Sequence, residues 1–377
     1  MHIEYTDEQN MLRDSVDKYL RDNYSFVSRQ AVAKSGEGFS EQQWRTFAEL
    51  GWLAMTLPEE HGGFEGGALE TMILCEAFGK HLVLEPYMET VVLTAGLLQE
   101  AGPGIHEKYL AGVAEGRVQG ALAALEAGRQ SSLRHVETRA ESCAEGFKLS
   151  GSKCTVFNGP AADVFLVTAR TSGDAYSAEG ISLFAVDAGL PGLSRRDYPT
   201  YDGRHASELW LDGVTVPEGA LVGEPGRGYP VLEKIIDRAL LALSAEAVGA
   251  MDSLLAATVE YTKQRKQFGK PISRFQVLRH RMADMFMEIE LTRSLMLATA
   301  YKLDQNADDA SALVSALKAK VGKSGPFVGQ NAIQLHGGIG MTEELSVGHY
   351  FKRIAVIENL FNSRDFHLQR YMRLTCE

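Results

Sequence analysis

The feature that most restricts the fold of this chain is a change of hydrophobic period along it. From Gly226 onward, apolar residues recur at helical spacing through three long segments that end near Gly338. Each segment carries a wide apolar stripe, and such stripes pack against one another because this removes their apolar surface from water. The pattern predicts a C-terminal four-helix bundle over residues 226–377, with stripes broad enough to favour packing between subunits as well.

The preceding region has a different pattern. Residues 118–225 contain short β-branched or alternating runs, such as ADVFLVTART and ISLFAVDA, separated by Gly, Pro and Ser. These runs predict a compact β domain of antiparallel type, whose last strand stops at Pro217 because proline cannot donate to the ladder.

Residues 1–117 read as helices. The stretch FSEQQWRTFAELGWLAM has apolar residues at helical spacing, and Ser40 is a suitable N-cap for it. The glycine-rich stretch HGGFEGG at 61–67 predicts an exposed helix connection, since no strand precedes it as a phosphate loop would require. The predicted fold class is therefore α+β, with a helical domain (1–117), a β domain (118–225) and a helical bundle (226–377).

Charge and cysteine content exclude several functions. The formal net charge of −11 argues against nucleic acid as a main partner, because phosphate binding needs a basic surface. No run of 18 apolar residues predicts a membrane span, and the acidic N-terminus lacks the apolar core of a signal peptide. The four cysteines form no CxxC pair and no His cluster has zinc spacing, so we expect no metal and free thiols in a reducing cytoplasm.

The segment YTKQRKQFGKPISRFQ (261–276) places Arg265, Phe268 and Gln276 around a Gly269-Lys270-Pro271 turn between two helices. A guanidinium can bind two phosphate oxygens, an aromatic ring can pack on a flat heterocycle, and an amide can bond a ribose or a phosphate. By itself, the segment is also what a charged helix–helix corner looks like.

A second segment, QLHGGIG (334–340), has closely spaced glycines that let the backbone approach a ligand and expose its N–H groups. A lone Gly-Gly-x-Gly is a weak signal. We expect the adjacent His336 to be a packed or solvated side chain rather than a base.

Taken together with the helix–β–helix order, the two segments resemble the acyl-CoA dehydrogenase family over essentially the whole chain. That family carries an R-x-x-F-G turn, a downstream glutamine and a later Q-x-x-G-G-x-G loop. The matching residues here are Arg265, Phe268, Gly269, Gln276, Gln334, Gly337, Gly338 and Gly340.

The resemblance implies an FAD-dependent enzyme that desaturates an acyl-CoA thioester between its α and β carbons and passes the electrons to a carrier protein. Family members bind FAD across a subunit interface. A glutamate removes the α-proton, and the β-hydride passes to the flavin. By this resemblance, the adenine and pyrophosphate end of a neighbour's FAD is held by Arg265, Phe268, Gln276, Gln334, Gly337 and Gly338.

Departures from the family cluster where the flavin ring is expected. Leu125 stands in place of a flavin-bonding threonine, Thr155 in place of a tryptophan and Phe157 in place of a second hydroxyl residue. Other positions of the same two motifs are kept, namely Glu126, Ser131, Gly151, Lys153 and Asn158.

The catalytic base is also missing. Phe361 and Ala239 occupy the two positions at which family members carry the glutamate. Asp237 is the best candidate for a substitute base, and the resemblance assigns Asp237 and Arg238 to substrate binding. Three further acids near these positions, Glu246, Glu358 and Asp365, are expected to be helix-dipole or solvated carboxylates.

Two hypotheses remain open at this point. The chain is either an active dehydrogenase with a relocated base, or a partner subunit that completes the FAD site of a catalytic homologue. The second is favoured, because the residues that serve a neighbour's FAD are kept and those that face the chain's own flavin ring have become apolar. The chain also resembles the small subunits of bacterial two-gene dehydrogenases of the pimeloyl-CoA and steroid-side-chain type. Its expected assembly is a cytoplasmic tetramer with a homologous subunit or with itself.

Overall fold

The computed structural model describes residues 4–128 and 132–376. Contacts within the chain divide it into two compact units. The bundle unit comprises Met1–Gln30, Gly67–Val83 and Leu240–Glu377, and the sheet unit comprises Ala31–Gly66 and Leu84–Ala239. The N-terminal, β and C-terminal regions therefore do not correspond one-to-one with these units.

The helices of the chain account for its first and last thirds. In chain order they are α1 (Asp7–Asn23), α2 (Phe26–Ala33), α3 (Glu41–Glu49), α4 (Ala68–His81), a π-helix (Met88–Ala95) that continues into α5 (Gly96–Leu98), α6 (Pro103–Ala114), α7 (Gly228–Gln264), α8 (Gln276–Asp304), α9 (Ala310–His336), α10 (Ser346–Asn359) and α11 (Arg364–Cys376). Ser40 caps α3 by accepting a hydrogen bond from the Gln43 amide at 3.3 Å, as predicted.

In the bundle unit, α9 packs against α8, α10 and α11. Helices α4 and α7 cross closely, because Gly79 faces the Glu246 carbonyl and Gly249 faces the Glu76 carbonyl. A Cβ on either glycine would lie 1.9 Å from the facing oxygen, so only glycine allows this approach. Arg293 of α8 forms ion pairs with Glu76 on α4 and Asp252 on α7 and ties these helices together.

Helix α7 is long and apolar enough to cross a membrane by length and composition. However, 78% of its most apolar window is buried inside the protein, which is the pattern of a core helix. Its neighbours α8 and α9 are the other long segments whose helical period was read from the sequence, and both are confirmed.

The sheet unit holds one eight-stranded sheet. Its strands are β1 (Gly120–Ala123), β2 (Arg139–Cys143), β3 (Gly146–Phe157), β4 (Val164–Arg170), β5 (Ile181–Asp187), β6 (Leu193–Pro199), β7 (His205–Val216) and β8 (Leu221–Val222). The order is β6-β7-β3-β2-β4-β5-β8, with β1 also paired to β4. One face buries an apolar cluster that includes Phe165, Phe184, Leu209 and Val214.

The predicted α+β class and the helix–β–helix order are confirmed. The sheet is mostly antiparallel, as predicted, but β1 and β2 each pair with β4 in parallel, which makes the sheet mixed. Strand β7 ends at Val216, directly before Pro217, as expected, but it is not the last strand because the short β8 follows it. Residues 62–67 connect a 3₁₀ turn (Glu59–His61) to α4, which confirms the helix connection.

Candidate functional site

The corner between α7 and α8 is a small β-hairpin. Its strands are β9 (Lys266–Gln267) and β10 (Lys270–Pro271), so the turn is centred on Phe268 and Gly269. The turn therefore lies one to two residues before the Gly269-Lys270-Pro271 position predicted from the sequence. Both central residues have positive φ, +53° for Phe268 and +78° for Gly269, as a type I′ turn requires.

Phe268 is the most exposed large apolar residue of the hairpin, with 89% of its surface accessible. A bulky residue in the left-handed region costs about 1–2 kcal/mol, and the exposed ring recovers little of this within the chain. Its ring makes an edge contact with Phe275 at 6.2 Å. Arg265 and Gln276, at the two ends of the hairpin, are also exposed. The three predicted groups thus point to one solvent-facing corner.

The glycine loop lies at the C-terminus of α9. Gln334 is exposed on the last turn of the helix, which ends at His336 and is capped by Gly337, whose φ is +65°. A Cβ added at Gly337 or Gly338 would meet nothing within 4 Å, so open space faces this backbone. The loop has the accessibility that a backbone anion or ribose site needs.

A stacked pair of rings connects the corner and the glycine loop. Tyr261, one turn before Arg265 on α7, stacks on His336 with ring centres 4.5 Å apart. His336 is buried and its Nδ1 bonds the Ala332 carbonyl at 2.8 Å, which confirms the expectation of a packed side chain. Burial lowers the pKa of His336, so the ring is neutral at neutral pH. The structure therefore brings the two predicted segments together on the bundle unit.

These residues fit the nucleotide end of FAD. The cluster offers a guanidinium, an exposed aromatic ring, two amide side chains and free glycine backbone, and the described part of the chain covers none of them. With FAD bound, Arg265 would contact a phosphate and Phe268 would pack on a ring. Gln276 and Gln334 would bond hydroxyl or phosphate oxygens, and Gly337–Gly338 would make backbone contacts.

On the sheet unit, the two motifs with altered residues lie side by side. The Cys154 amide bonds the Leu125 carbonyl at 2.8 Å, which sets the end of β1 against β3. Leu125 and Phe157 are half-buried. Thr155 is exposed at a β-bulge with φ +53°, a strained conformation for a β-branched residue. Three positions expected to face a flavin ring thus present one hydroxyl, on the strained Thr155.

Glu126, although kept from the family motif, is committed to an ion pair inside the sheet unit. Its Oε1 lies 2.6 Å from Lys153 Nζ, and it also accepts from the amides of Glu137 and Thr138. The Lys153 side chain is fully buried, and desolvation lowers its pKa to about 8 although Glu126 opposes the shift. Sequence reasoning missed this pair. Its role explains why both residues persist although the ring-facing positions changed.

Two other kept residues also have structural roles. Gly151 has φ +154° and a Cβ there would lie 2.5 Å from Thr138 Oγ1. Asn158 adopts φ +59° and its amide bonds the Gln119 side chain and the Gly120 carbonyl. The remaining kept residue, Ser131, lies outside the described residues.

The predicted substitute base, Asp237, lies inside α7. Asp237 comes nine residues after Gly228, the first residue of α7, so it is not at the start of the helix and gains little from the helix dipole. Only 4% of its surface is exposed. Its neighbour Arg238 is exposed, and Ala239, one of the two family base positions, is fully buried.

The second base position, Phe361, lies in a turn between α10 and α11. Phe361 and Asn362 are both left-handed, with φ of +53° and +82°. The Lys318 ammonium, 1% exposed, donates to the carbonyls of Ile357, Glu358 and Asn362 at 2.8, 2.7 and 3.4 Å. It therefore caps the C-terminus of α10, whose last carbonyls lack helical donors.

The same turn is held from its other side. His367 Nε2 bonds the Phe361 carbonyl at 2.8 Å, and burial lowers the pKa of this histidine to about 4. At neutral pH the ring is thus neutral with its proton on Nε2. Burial also lowers the pKa of Lys318 to about 8. Neither residue was singled out from the sequence.

The other acids considered from the sequence have different surroundings. Glu246 forms a buried two-point ion pair with Arg353, with both N–O distances 2.7 Å, so the expectation of a solvated or dipole-bound carboxylate was wrong for it. Glu358 is half-buried. Asp365 is exposed in the first turn of α11, where the helix dipole stabilises a carboxylate.

A separate cleft in the sheet unit contains none of the predicted site residues. Its volume is about 680 Å³, and it is lined by charged residues together with Phe39 and Trp44. Its two arginines, Arg45 and Arg117, are paired with Glu41 and Glu115, which also line the cleft. We therefore base the candidate site on the corner and the glycine loop.

Models of one protein family match most of the chain. Family models described as the N-terminal, middle and C-terminal domains of acyl-CoA dehydrogenase match residues 6–117, 121–214 and 226–361. The chain is 30% identical over 364 residues, 95% of each sequence, to the probable acyl-CoA dehydrogenase YngJ of Bacillus subtilis (strain 168).

Two solved structures extend the comparison. The FAD complex of PigA superposes with a TM-score of 0.92 at 27% identity, over 99% of this chain and 98% of that one. The ChsE4-ChsE5 complex from Mycobacterium tuberculosis gives a TM-score of 0.90 at 26% identity, over 100% and 99%. One of these neighbours is thus a complex with FAD and the other a complex of two named proteins.

Proposed function

Because this chain belongs to the acyl-CoA dehydrogenase family of FAD-dependent oxidoreductases, we propose that it works as one subunit of a heteromeric acyl-CoA dehydrogenase. In this role it holds the adenine and pyrophosphate end of FAD, while a homologous subunit supplies the pocket for the flavin ring and the catalytic carboxylate. The similarity to the ChsE4-ChsE5 complex supports a two-protein assembly of this kind.

A single asymmetry carries the proposal. The corner with Arg265 and Phe268 and the loop at Gly337 lie together and open to solvent on the bundle unit. At the positions where a family member carries its base, the chain has Phe361 and the fully buried Ala239, neither of which can take a proton. A chain that kept one half of the site and lost the other is suited to complete a neighbour's site.

The chemistry divides accordingly. Bound FAD supplies the acceptor for the hydride from the β-carbon of the thioester. Arg265 binds and orients the phosphates, since a guanidinium matches their geometry with two parallel hydrogen bonds. Phe268, preset in the left-handed conformation, presents its ring without a further conformational change. The α-proton is removed by a carboxylate of the homologous subunit.

Flavin stoichiometry tests this proposal. The protein is purified alone and after co-expression with a homologous dehydrogenase subunit, and FAD per chain is measured by absorbance. We expect little FAD alone and a stable flavin complex with the homologue. Full occupancy of the isolated protein, with flavin that acyl-CoA reduces, would instead assign it an autonomous active site with a relocated base.

The variant Arg265→Ala sharpens the test. Loss of a charge-assisted hydrogen bond of about 1.5–3 kcal/mol should weaken FAD binding by the complex by roughly 10- to 150-fold. Arg21→Ala removes another exposed guanidinium, on α1, and should leave FAD binding unchanged. Equal flavin retention by the wild-type, R265A and R21A complexes would argue against this role of the corner.

We extend the proposal to a tetramer in a reducing cytoplasm, with an electron-carrier protein as the oxidant of the flavin. The four free cysteines, two of them exposed, support a reducing compartment. Bulky substrates such as steroid side-chain thioesters are the class we propose for the assembled enzyme.

A further inference from the structure

The segment that contains Arg265, Phe268 and Gln276 has a charge opposite to that of the rest of the chain. Residues 261–283, which we call the basic hook, contain seven Lys and Arg and no Asp or Glu. The remainder keeps 31 Lys and Arg against 49 Asp and Glu, a formal charge of −18. A strongly acidic protein thus displays one concentrated basic surface.

The cations of the hook have no carboxylate partners within the described chain, apart from Lys263, which lies 4.0 Å from Glu260. All seven are exposed. They are Lys263, Arg265, Lys266, Lys270, Arg274, Arg279 and Arg281. Lys270 lies over the Phe275 ring at 4.4 Å and Arg281 donates to the Asn331 side chain at 3.1 Å, so two of them are held in place by neutral groups.

This charge exceeds what a pyrophosphate needs. A pyrophosphate carries two negative charges and is satisfied by one or two guanidinium groups. The hook extends its cations from the end of α7, through the hairpin, to the second turn of α8. Crowding six like charges without counterions is unfavourable in the free chain, and an opposed acidic surface would relieve the repulsion.

We propose that the basic hook docks on an acidic surface of the neighbouring dehydrogenase subunit, and that this charge complementarity, rather than the FAD contact alone, drives assembly. The proposal rests on the proposed function in that the hook faces a neighbour. The surface of this same fold outside the hook, as this chain shows it, is strongly acidic. Phe268 at the hairpin tip is the apolar centre of the contact, and the cations form the charged rim around it.

Salt dependence of assembly tests the inference. Sedimentation velocity is measured from low to high NaCl, without added FAD, on the oligomer in which the protein is isolated, whether with a homologous subunit or as a homomer. We expect the dissociation constant to rise steeply with salt, because salt screens exposed charges over about 8–10 Å at physiological strength. A protein that stays monomeric at low salt, or an oligomer indifferent to salt, would overturn the proposal.

The decisive variant is Arg274→Glu/Arg279→Glu, which leaves Arg265, Phe268 and Gln276 intact. We expect assembly at low salt to weaken on the order of tenfold or more and its salt dependence to become shallower. Lys18→Glu/Lys34→Glu changes the same charge at two exposed lysines elsewhere and should assemble as wild type. Equal weakening by both double variants would show only an effect of net charge and would contradict a specific docking surface.

The two proposals fail separately. Loss of partner-dependent flavin binding with normal salt-sensitive assembly would contradict the proposed function and support the hook. Flavin binding that responds to Arg265→Ala, in an oligomer that ignores both salt and R274E/R279E, would support the function and overturn the hook. Binding of the hook to a nucleic acid or another polyanion, with no effect of R274E/R279E on subunit assembly, would also overturn the proposed docking.

Discussion

Lys318 shows how a single buried charge can hold a functional turn. Its ammonium binds three main-chain carbonyls and has no carboxylate among its hydrogen-bond acceptors. Together with His367 it fixes the backbone around Phe361, the position of the family's base, although the base itself is absent. The backbone at this position is therefore fixed by hydrogen bonds from two buried side chains.

The pKa of Lys318 makes this residue testable by pH. Its folded-state pKa of about 8 lies below the ordinary 10.5, so the unfolded chain binds an extra proton between these two values. The free energy of unfolding contributed by Lys318 is thus constant below about pH 8 and rises from there to about pH 10.5, by up to about 3 kcal/mol. Urea denaturation of wild type and Lys318→Met across this window should show a gap that widens with pH.

Two controls separate this effect from others. Lys318→Met should also destabilise the protein at pH 7 by about 1–3 kcal/mol, because the freed carbonyls stay buried. Lys323→Met, on the exposed side of the same helix, should change stability by no more than about 0.5 kcal/mol at any pH. A gap between wild type and K318M that is constant or narrows above pH 8 would mean that the ammonium is not the group that titrates.

Residue roles were only partly predictable from the sequence. The packed His336 and the N-cap Ser40 were predicted correctly, since both depend on local pattern. The pairs Glu126–Lys153 and Glu246–Arg353 were missed, because their partners lie 27 and 107 residues apart and no local period marks a buried ion pair. Lys318 left one signal, a lysine inside an apolar helical run, but nothing in the sequence indicated its acceptors.

At the scale of elements, α4 and α7 cross at close range in the bundle unit. It depends on Gly79 and Gly249, each of which faces a carbonyl of the other helix. Helices that approach this closely gain dispersion contacts along their length, but they tolerate no side chain at the crossing point.

We therefore expect Gly249→Ala to destabilise the protein strongly. The new Cβ would meet the Glu76 carbonyl at 1.9 Å, and the helices would have to separate to relieve the clash. Overpacking of this kind costs about 1–3 kcal/mol or more. Gly104→Ala, on α6 with open space around it, should leave the melting temperature unchanged or raise it slightly, since alanine is the better helix former. Similar melting temperatures for G249A and wild type would show that the crossing adapts.

Elements were predictable where their apolar pattern was strong and were missed where it was weak. The long helices α7, α8 and α9 and the buried strands β4 and β5 were all predicted. Strand β6, with the sequence LSRRDYP, was not, because it is an exposed edge strand whose residues are mostly polar. The parallel pairing of β1 with β4 depends on long-range topology and left no local signal.

At the scale of the whole molecule, the proposed function divides two roles between this chain and a homologous subunit. The residues proposed to bind the nucleotide end of FAD are exposed, whereas the positions expected for the base hold Phe361 and Ala239. The sequence allowed this separation to be inferred, since the motif residues could be compared position by position. It gave no account of the hairpin that displays Phe268 or of the stack that joins the two segments, since both arise from tertiary contacts.

This division of roles predicts the result of removing Asp237, the best candidate for a relocated base. In the assembled heteromer, Asp237→Asn should leave kcat essentially unchanged, because the proposed function places proton removal on the homologous subunit. A general base contributes about 10²- to 10⁴-fold to rate, so a loss of that size with KM and thermal stability retained would assign the base to Asp237. The pH profile of kcat distinguishes a misfolded site from a missing base. If the base lies on the partner subunit, the acid limb of the pH profile is kept in D237N. If the base is Asp237, that limb is lost in D237N. The isolated chain, lacking that partner, should show little or no bleaching of added flavin by simple acyl-CoA esters.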